Sequence, residues 1–479
     1  MRWLREDHDM PKRYMSRHST VVRDAPVDFT ATADRLPIAG DAGRPLGEAW
    51  TFAYVRDAAE VERPVLFLFN GGPGCSSVWL HLGGLGPWRA AVPGDLDAAP
   101  VARDTLAVSP DALIDTADLV FVDPIDTGFG RLADGVDPAA ISGAERDAAI
   151  TAQIVRSWLE RHHRLESPVH LLGESYGTIR AALTATALLM AEEPVVVSGV
   201  AMLGQCVNAQ ETTQRPGNPA GFVAALPLLA AAAWYHGKGA HGALALDEVV
   251  RRAHAFAVGD YAAALLGGAM PDAVVERLAG FTGLGEAELR VRRLRVDTQE
   301  FRTLLLADRG LVLGLTDARY TLPVPAGAGE PQVDAASVRL DPVFYAAARR
   351  LFTEHLGIPR KRRYRIAVAA HERWNYLESA AVSRFGGSAM PSPFAVFDYP
   401  AHLAALLRAN AGARLFFGTG YFDTLTTVGS LEHLRAQYGL PAARLSEGRY
   451  PAGHMMYTDP AGLAALSADL RAFIGGGAA

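Results

Sequence analysis

The sequence predicts an α/β fold in which a mostly parallel central sheet is flanked by helices. In the first two hundred residues, short segments rich in β-branched and aromatic residues alternate with longer amphipathic segments. In addition, the serine of GESYG at 173–177 lies directly between a strand-like run and a helix-like run. This order of strand, turn and helix is typical of a parallel sheet with helices on its faces.

Eight segments have the composition of strands. The first five are EAWTFAYVRD, PVLFLFN, DLVFVDP, PVHLLG and VVVSGVAML, and RYRIAVAA, ARLFFGTG and ARLSEGRYPAG follow position 360. Helical patterns separate the later segments, and the clearest of them is the amphipathic stretch 143–163. The predicted sheet is therefore split into two parts along the chain.

The segment between these two parts has a different pattern. Residues 206–345 are rich in alanine and leucine and have the spacing of amphipathic helices. We therefore predict a core formed by 1–205 and 346–479, with 206–345 inserted as a helical cap. The insertion would emerge at the carboxyl ends of the strands, where open α/β sheets bind ligands. The alternative is a helical domain that has no part in catalysis.

Composition and charge exclude several kinds of partner. The 46 basic and 52 acidic residues give a net charge of −6, and the nearest approach to a basic tract, PRKRRYR at 359–365, is predicted to be a solvated loop. Nucleic acid is therefore not an expected partner. The apolar segment GFVAALPLLAAAAWYHG contains Pro227 and is shorter than the roughly 20 residues of a bilayer-spanning helix. No membrane span is predicted.

The two cysteines and the N-terminus bear on the compartment. Cys75 and Cys206 form neither a disulfide framework nor a metal-binding spacing, and a reducing compartment favours two free thiols over a bridge between them. The charged N-terminus lacks a secretory signal, so the sequence as written predicts a cytoplasmic protein, although export is not excluded. We predict no metal and no cofactor.

Ser175 has the sequence context of a nucleophile. GESYG matches G-x-S-x-G, in which the serine lies on a strained turn from strand to helix and the flanking glycines avoid collisions. The N-terminus of the following helix favours developing negative charge. Because a single short match is weak, and an ordinary tight turn is the alternative, the partners of the serine decide the assignment.

The expected base is His454. In sheets of this kind the acid and then the histidine follow the serine along the chain, each in a loop after a strand. His454 follows a strand and a glycine, whereas His402 and His433 lie within helical patterns. We therefore predict that a neutral imidazole at His454 takes the proton of Ser175.

The expected acid is Asp423, which lies in the loop directly after ARLFFGTG. It would accept a hydrogen bond from the second ring nitrogen of the histidine and stabilise the imidazolium that forms. Asp398 and Asp459 are the alternatives under the same positional rule.

A glycine-rich loop is expected to help bind the oxyanion. A tetrahedral intermediate needs two donors, which are the backbone N–H of Tyr176 and one N–H from an earlier loop. FLFNGGPGCSS follows a strand and contains Gly71, Gly72 and Gly74, whose bare backbone can approach a reacting carbonyl. An ordinary glycine and proline turn is the alternative.

Taken together, these blocks resemble the serine carboxypeptidases, a family with the α/β-hydrolase fold, and more particularly their bacterial branch. NGGPGCSS, FVDPIDTGFG, GESYG, GTGYFDTLTT and AGHMMY occur in this order between about 65 and 457, and the cap is the least characteristic part. The resemblance implies a serine-type carboxypeptidase, a hydrolase that cleaves peptide substrates near the C-terminus through an acyl-enzyme on Ser175. It also implies that Asp423 and His454 complete the triad and that Gly72 and Tyr176 form the oxyanion hole.

The resemblance further implies a clamp for the terminal carboxylate of the substrate, formed by Asn70, Gly71 and Glu174. In the family two carboxyl groups share a proton in this clamp, which therefore works best in acid. Here Gly84 stands where many members carry the second glutamate. We therefore predict weaker selection for a free C-terminal carboxylate and less dependence on acid pH. Asp126, where the family tends to have glycine, receives no role.

Two alternative functions remain at this point. An esterase or acyltransferase would use the same triad, since fold and triad do not determine the acyl acceptor. A catalytically idle peptide-binding protein is opposed by the intact serine, aspartate and histidine blocks. The sequence does not determine the side-chain preference or the oligomeric state. Phe222, Trp234 and Tyr235 are candidates for the pocket wall, although a core position is the better expectation for them.

Overall fold

A mixed sheet of ten strands forms the centre of the molecule, which is described here by a computed structural model. The structure describes residues 13–40, 43–57, 62–96, 105–324, 333–370, 373–376 and 398–476. Their strands are β1 (Arg13–Val22), β2 (Ala25–Ala39), β3 (Pro45–Arg56), β4 (Val65–Phe69), β5 (Trp88–Ala90), β6 (Leu106–Val108), β7 (Asp118–Asp123), β8 (Arg131–Leu132), β9 (Val169–Glu174), β10 (Val197–Leu203), β11 (Leu311–Leu313), β12 (Thr321–Pro323), β13 (Arg414–Gly420) and β14 (Leu445–Tyr450). The order in the sheet is β1-β2-β3-β7-β4-β9-β10-β13-β14, and β8 pairs with β3.

Six neighbouring strands, from β7 to β14 in that order, are parallel, so their carboxyl ends lie along one edge. Phe67, Leu171 and Val200 lie side by side across three of these strands. The strands β1, β2 and β3 are antiparallel, and β3 also pairs antiparallel with β7, which makes the sheet mixed. The predicted α/β fold with a mostly parallel sheet is confirmed, but the long β1-β2 hairpin was not predicted.

Helices cover both faces of the sheet. They are α1 (Val78–Leu82), α2 (Ala144–Arg161), α3 (Tyr176–Leu189), α4 (Ala209–Thr212), α5 (Pro219–Tyr235), α6 (Leu246–Phe256), α7 (Ala262–Gly267), α8 (Asp272–Thr282), α9 (Glu286–Val291), α10 (Thr298–Leu304), α11 (Ala335–Arg350), α12 (Tyr399–Ala409), α13 (Val428–Tyr438) and α14 (Pro460–Gly475). Buried side chains of α2, α3 and α12 pack on one face, and those of α11 and α14 pack on the other.

The two faces of β4 show how the sheet divides the core. Successive side chains of a strand point to opposite faces, and here Leu66 and Leu68 join one buried cluster while Phe67 and Phe69 join the other. All four residues are fully buried. A continuous apolar run such as VLFLF is therefore the pattern of a parallel strand that is covered on both sides.

The segment 206–345, which we propose as the insertion and call the inserted segment, contains the helices α4 to α10, the hairpin of β11 and β12, and the beginning of α11. A third buried cluster, which includes Phe256, Leu278 and Phe301, lies in this segment, and Phe422 from the loop after β13 also belongs to it. The helix α11 runs past position 345, and its buried Phe344 belongs to a core cluster of the sheet.

The segment RYRIAVAA is not a strand of the sheet, so that prediction is wrong. Residues 364–370 instead cross the glycine-rich loop, where Ser76 N donates to Ile366 O at 2.9 Å and Val368 N donates to Gly74 O at 2.9 Å. The segment has the composition of a strand, but its backbone forms hydrogen bonds with a loop at the carboxyl edge of the sheet and not with another strand. It therefore covers the glycine-rich loop and does not extend the sheet.

The basic stretch 359–365 is only partly the solvated loop that we predicted. Arg362 is buried, donates to Glu48 Oε1 at 2.6 Å and lies over the Trp50 ring. A buried guanidinium that has a carboxylate partner serves packing and is not available to a polyanion. The apolar helix α5 continues through Pro227, and no helix of the described residues is long and apolar enough to cross a membrane.

Candidate active site

Ser175 lies on a sharp turn between β9 and α3, with φ 59° and ψ −129°. This is a region that L-residues rarely adopt, and backbone strain of this kind is typical of a nucleophile turn. A Cβ added at Gly173 would lie 2.0 Å from the Gly177 carbonyl oxygen, and one at Gly177 would lie 2.6 Å from Phe69 O. Both flanking glycines are therefore required by close backbone approaches.

Asp423 and His454 follow neighbouring parallel strands and are in contact. His454 Nδ1 and Asp423 Oδ2 are 2.7 Å apart, and Asp423 is completely buried. The carboxylate also accepts hydrogen bonds from Leu425 N at 2.8 Å, Thr426 N at 3.0 Å and Thr426 Oγ1 at 2.5 Å. This set of donors holds the carboxylate in one orientation toward the imidazole.

The protonation of His454 is controlled by its neighbours. Burial lowers the pKa of His454, but the negative charge of Asp423 and the hydrogen bond to it outweigh burial and raise the pKa above its ordinary value. The charges of Glu174 and Asp334 act in the same direction. An imidazole in this setting binds a proton readily, so it acts as a general base only at a pH where it is neutral.

The serine lies on the same edge of the sheet as this pair. Ser175 N donates to Leu203 O at 2.9 Å, and a Cβ added at the next residue, Gly204, would lie 3.0 Å from His454 Cε1. Among the described residues, no hydrogen bond joins the Ser175 hydroxyl to His454. In free enzymes such bonds are often long and shorten only when substrate binds. The complete triad therefore remains a proposal.

The alternative acids and bases have other surroundings. Asp398 and Asp459 cap the N-termini of α12 and α14 by accepting hydrogen bonds from backbone N–H groups. His402 lies within α12, and His433 lies within α13. Of the residues weighed from sequence, Asp423 and His454 are the pair that the structure brings into contact.

The glycine-rich loop lies against the serine turn. A Cβ added at Gly71 would lie 2.6 Å from Tyr176 N, and Gly72 has φ 106°. Within the described part of the chain, neither the Gly72 nor the Tyr176 N–H donates to a protein acceptor. Two unpaired N–H groups beside a serine are suited to bind an oxyanion.

Asn70 and Glu174 lie next to the proposed triad. Asn70 is buried, its Oδ1 accepts from Leu80 N at 3.0 Å, and its backbone oxygen accepts from Arg180 Nη1 at 2.6 Å. Burial raises the pKa of Glu174 to about 7, partly offset by the charge of His454. A carboxyl with this pKa is partly neutral near pH 7 and can donate a hydrogen bond to another carboxylate.

Three supporting residues were missed from the sequence. Arg180 and Asp147 form a buried ion pair at 2.7 Å behind the serine turn, and the Tyr176 hydroxyl also donates to Asp147 at 3.0 Å. Thr426 holds the carboxylate of Asp423. The available signal was Arg180 itself, because a lone arginine in a small, apolar helix after the serine must find a buried partner.

Both cysteines are free thiols near the serine. Cys206 Sγ donates to Ser175 O at 3.1 Å. Burial raises the pKa of Cys75 to about 11 and that of Cys206 to about 12, so neither is a reactive thiolate at neutral pH. Asp126, which received no role, has φ 65° and forms an ion pair with Arg365.

A cavity of about 460 Å³ opens beside Ser175. Ile179, Val207, Tyr376 and Tyr399 give it a largely apolar and aromatic wall, and Gln210, Thr213 and Arg215 add polar groups to the lining. The three residues considered earlier for such a wall lie elsewhere. Phe222 and Trp234 pack in clusters of the inserted segment, and Tyr235 is 41% exposed. No group of three or more His, Cys, Asp or Glu side chains in the described ranges could hold a metal ion.

Parallel strands that carry a serine, an aspartate and a histidine to one edge, in that chain order, define an α/β-hydrolase. Residues 48–214 match the family model of the serine carboxypeptidases. This segment is similar to the serine carboxypeptidases, and the chain is a serine-type hydrolase.

The chain is also similar to solved structures. Kex1, a prohormone-processing carboxypeptidase from Saccharomyces cerevisiae, matches with a TM-score of 0.56 and 14% identity, covering 93% of this chain and 91% of that one. A proline iminopeptidase-related protein from Thermus thermophilus matches with a TM-score of 0.36 and 14% identity, covering 93% of this chain and 99% of that one. At these identities the likeness to Kex1 concerns the fold alone.

Proposed function

We propose that this serine carboxypeptidase cleaves peptides near the C-terminus through an acyl-enzyme on Ser175. The observation that carries the proposal is the buried pair of Asp423 and His454, with nitrogen and oxygen 2.7 Å apart, on the edge of the sheet where the strained serine turn lies. A histidine that is hydrogen-bonded to a buried aspartate beside a serine turn acts as a general base. A site with a purely structural role does not require such a pair.

Acylation would proceed as follows. Ser175 Oγ attacks the scissile carbonyl carbon while His454 takes the hydroxyl proton, and Asp423 stabilises the imidazolium. The oxygen of the tetrahedral intermediate accepts hydrogen bonds from the N–H groups of Gly72 and Tyr176. His454 then gives its proton to the leaving nitrogen, the carbon–nitrogen bond breaks, and the acyl group stays on Ser175. Water, activated by the same histidine, hydrolyses the ester.

The leaving residue is expected on the side of His454, because the imidazolium must reach its nitrogen. Glu174 lies on that side, since its carboxyl and the imidazole influence each other's pKa. We assign the terminal carboxylate of the substrate to Asn70, Gly71 and Glu174. A pKa of about 7 leaves Glu174 able to donate a hydrogen bond up to neutral pH, which supports a weaker dependence on acid.

The cavity beside Ser175 is proposed to bind the side chain of the acyl residue. Tyr176 and Ile179 line it, whereas Glu174 and His454 do not, so the cavity lies away from the proposed carboxylate clamp. Its apolar and aromatic wall favours aliphatic or aromatic side chains at this position. Replacement of Ile179 by Phe would narrow the cavity and shift the preference toward smaller acyl residues.

Gly84 favours a second candidate, an esterase or acyltransferase with the same triad. Gly84 has φ 106°, and a Cβ there would lie 2.5 Å from Leu463 Cδ2, so this position cannot hold a second carboxyl without rearrangement. A clamp with one carboxyl group contributes less binding free energy for a terminal carboxylate than a clamp with two. Substrates that lack this carboxylate are therefore at a smaller disadvantage here. Simple esters are therefore the substrates that distinguish this candidate.

Two measurements test the proposal. A fluorophosphonate probe should label the wild type, and labelling should be lost in Ser175→Ala but kept in Ser446→Ala, a serine on β14 that lies outside the site. Hydrolysis of an acyl-blocked dipeptide should then exceed hydrolysis of its C-terminal amide and of a simple ester. Labelling that persists in Ser175→Ala would refute the nucleophile, and a preference for the simple ester would favour the second candidate.

A further inference from the structure

Tyr457 is a buried residue that the mechanism above does not use. It lies three positions after His454, in the turn before α14, and is 2% exposed. Its ring packs on Gly83, where an added Cβ would lie 2.3 Å from Tyr457 Cδ2. Its hydroxyl is buried and makes no well-aligned hydrogen bond with the described residues.

Two further unpartnered polar atoms face this hydroxyl. Glu174 Oε2 and Asn70 Nδ2 are buried and also lack a well-aligned hydrogen bond. The three groups are close enough to interact, because the Tyr457 hydroxyl and the Asn70 amide both act to lower the pKa of Glu174. Leaving three buried polar atoms unsatisfied costs stability, so a hydrogen bond from the tyrosine hydroxyl to the Glu174 carboxyl is favourable.

The cluster of Tyr457, Glu174 and Asn70 lies next to Gly84, the position that has no carboxyl group. Gly83, which touches the Tyr457 ring, directly precedes Gly84, whose carbonyl accepts from Ser109 Oγ at 2.6 Å. The positive φ of Gly84 and its contact with Leu463 exclude a side chain there. A neighbour for Glu174 must therefore come from another element, and the turn after β14 supplies Tyr457.

We propose that Tyr457 is the positioning residue for Glu174, which it orients toward the terminal carboxylate of the substrate by donating a hydrogen bond to Oε2. This inference rests on the proposed function. With Oε2 held by the tyrosine, the proton of neutral Glu174 resides on Oε1 and is free to be donated to the substrate.

A tyrosine in this role differs from a second glutamate. Burial and the charge of Glu174 raise the pKa of Tyr457 well above its ordinary value, so the hydroxyl stays a neutral donor at neutral and mildly alkaline pH. Glu174 also lies near the charges of His454 and Asp423. The positive charge of the His454 imidazolium lowers the pKa of Glu174, and the negative charge of Asp423 raises it. The upper pH limit for free-acid substrates is then set by the deprotonation of Glu174, at a pH that these neighbouring charges shift.

The test compares Tyr457→Phe with the wild type on a free-acid peptide and its C-terminal amide from pH 4 to 9. Phenylalanine keeps the ring on Gly83. We expect the KM for the free acid to rise about three- to tenfold, as for the loss of one hydrogen bond, with kcat within about twofold. The alkaline limb should move up by about half to one pH unit, because the donor that stabilised the charged carboxylate is gone. Kinetics on the amide should stay unchanged.

Two further variants separate positioning from folding. In a Glu174→Gln background, Tyr457→Phe should have no further effect on the free-acid KM. Tyr261→Phe removes another buried hydroxyl, which donates to Leu294 O at 2.7 Å in the inserted segment, and should leave all profiles unchanged. An equal loss on acid and amide, or an unchanged KM and pH limb, would overturn the inference. A wild type with no preference for the free acid at any pH would overturn the proposed function as well.

Discussion

Thr426 shows how one hydroxyl supports the proposed triad. Its Oγ1 donates to Asp423 Oδ2 at 2.5 Å and lies 3.3 Å from His454 Nδ1. We predict that Thr426→Val lowers kcat/KM about tenfold by loosening the carboxylate, while leaving KM nearly unchanged. The matched control is Thr282→Val, which removes another buried threonine hydroxyl, one that lies in α8 and donates to Leu278 O at 2.8 Å. Steady-state kinetics with equal losses in both variants would contradict the role of Thr426.

The pH dependence of ester hydrolysis reports on His454. An imidazolium cannot take the serine proton, so activity must rise as pH increases through the pKa of His454. Because Asp423 raises that pKa, we expect the midpoint of kcat/KM for a neutral ester to lie above about 6.5, the ordinary value for histidine. A neutral ester avoids the titration of Glu174 in substrate binding. A midpoint at or below the ordinary value would contradict the raised pKa.

At the scale of elements, strands and helices were predicted correctly where the apolar pattern of the sequence agrees with the burial of the side chains in the structure. The runs that became β4, β7 and β9 are apolar and short, as fully covered parallel strands require, and α3 follows the serine turn as expected. The glycines around the serine located the sharp turn between β9 and α3, because their close backbone contacts exclude side chains. The positions of Asp423 and His454 in loops at the carboxyl edge of the sheet followed from chain order and from the strand before each of them.

The elements and contacts that were not predicted depend on residues far apart in the sequence, which a local sequence pattern does not reveal. The β1-β2 hairpin carries alternating polar residues and charges near the N-terminus, and its arginines are satisfied by distant partners, as in the pair Arg13 and Asp34 at 2.6 Å. The segment 364–370 has the composition of a strand but pairs with a loop. Tyr457 interacts with Glu174 although the two residues are far apart in the chain. No spacing in the sequence predicts that interaction.

The loop after β7 allows a test of backbone strain at Asp126. Its φ of 65° disfavours side chains, although aspartate tolerates this region better than most residues. Its ion pair with Arg365 is partly exposed and is worth less than about 1 kcal/mol. We predict that Asp126→Gly leaves the free energy of unfolding within about 1 kcal/mol of wild type, whereas Asp126→Ala lowers it by about 1–2 kcal/mol. Urea denaturation checks this, and equal values for the two variants would contradict it.

At the scale of the whole molecule, the site joins the sheet to the inserted segment. His454 N donates to Thr316 O at 2.7 Å, and a Cβ added at Gly453 would lie 2.5 Å from the same oxygen. Thr316 is held in turn by Asp334, whose carboxylate accepts from Thr316 Oγ1 at 2.6 Å and from Leu315 N at 2.5 Å. The position of the proposed base therefore depends on residues far from it in sequence.

This arrangement predicts that Asp334 acts on catalysis from a distance. Asp334→Ala should release the 315–316 backbone, lower kcat several-fold with little change in KM, and reduce the free energy of unfolding by about 1–2 kcal/mol. Asp334→Asn should keep most of the stability, because an amide oxygen still accepts hydrogen bonds, but it removes a negative charge that raises the pKa of His454. The acid limb of ester hydrolysis should therefore move to lower pH in Asp334→Asn. The control is Asp137→Ala, which removes an exposed cap that accepts from Ala139 N at 2.9 Å. A kcat loss in the control equal to that in Asp334→Ala would show that lost stability alone explains the effect.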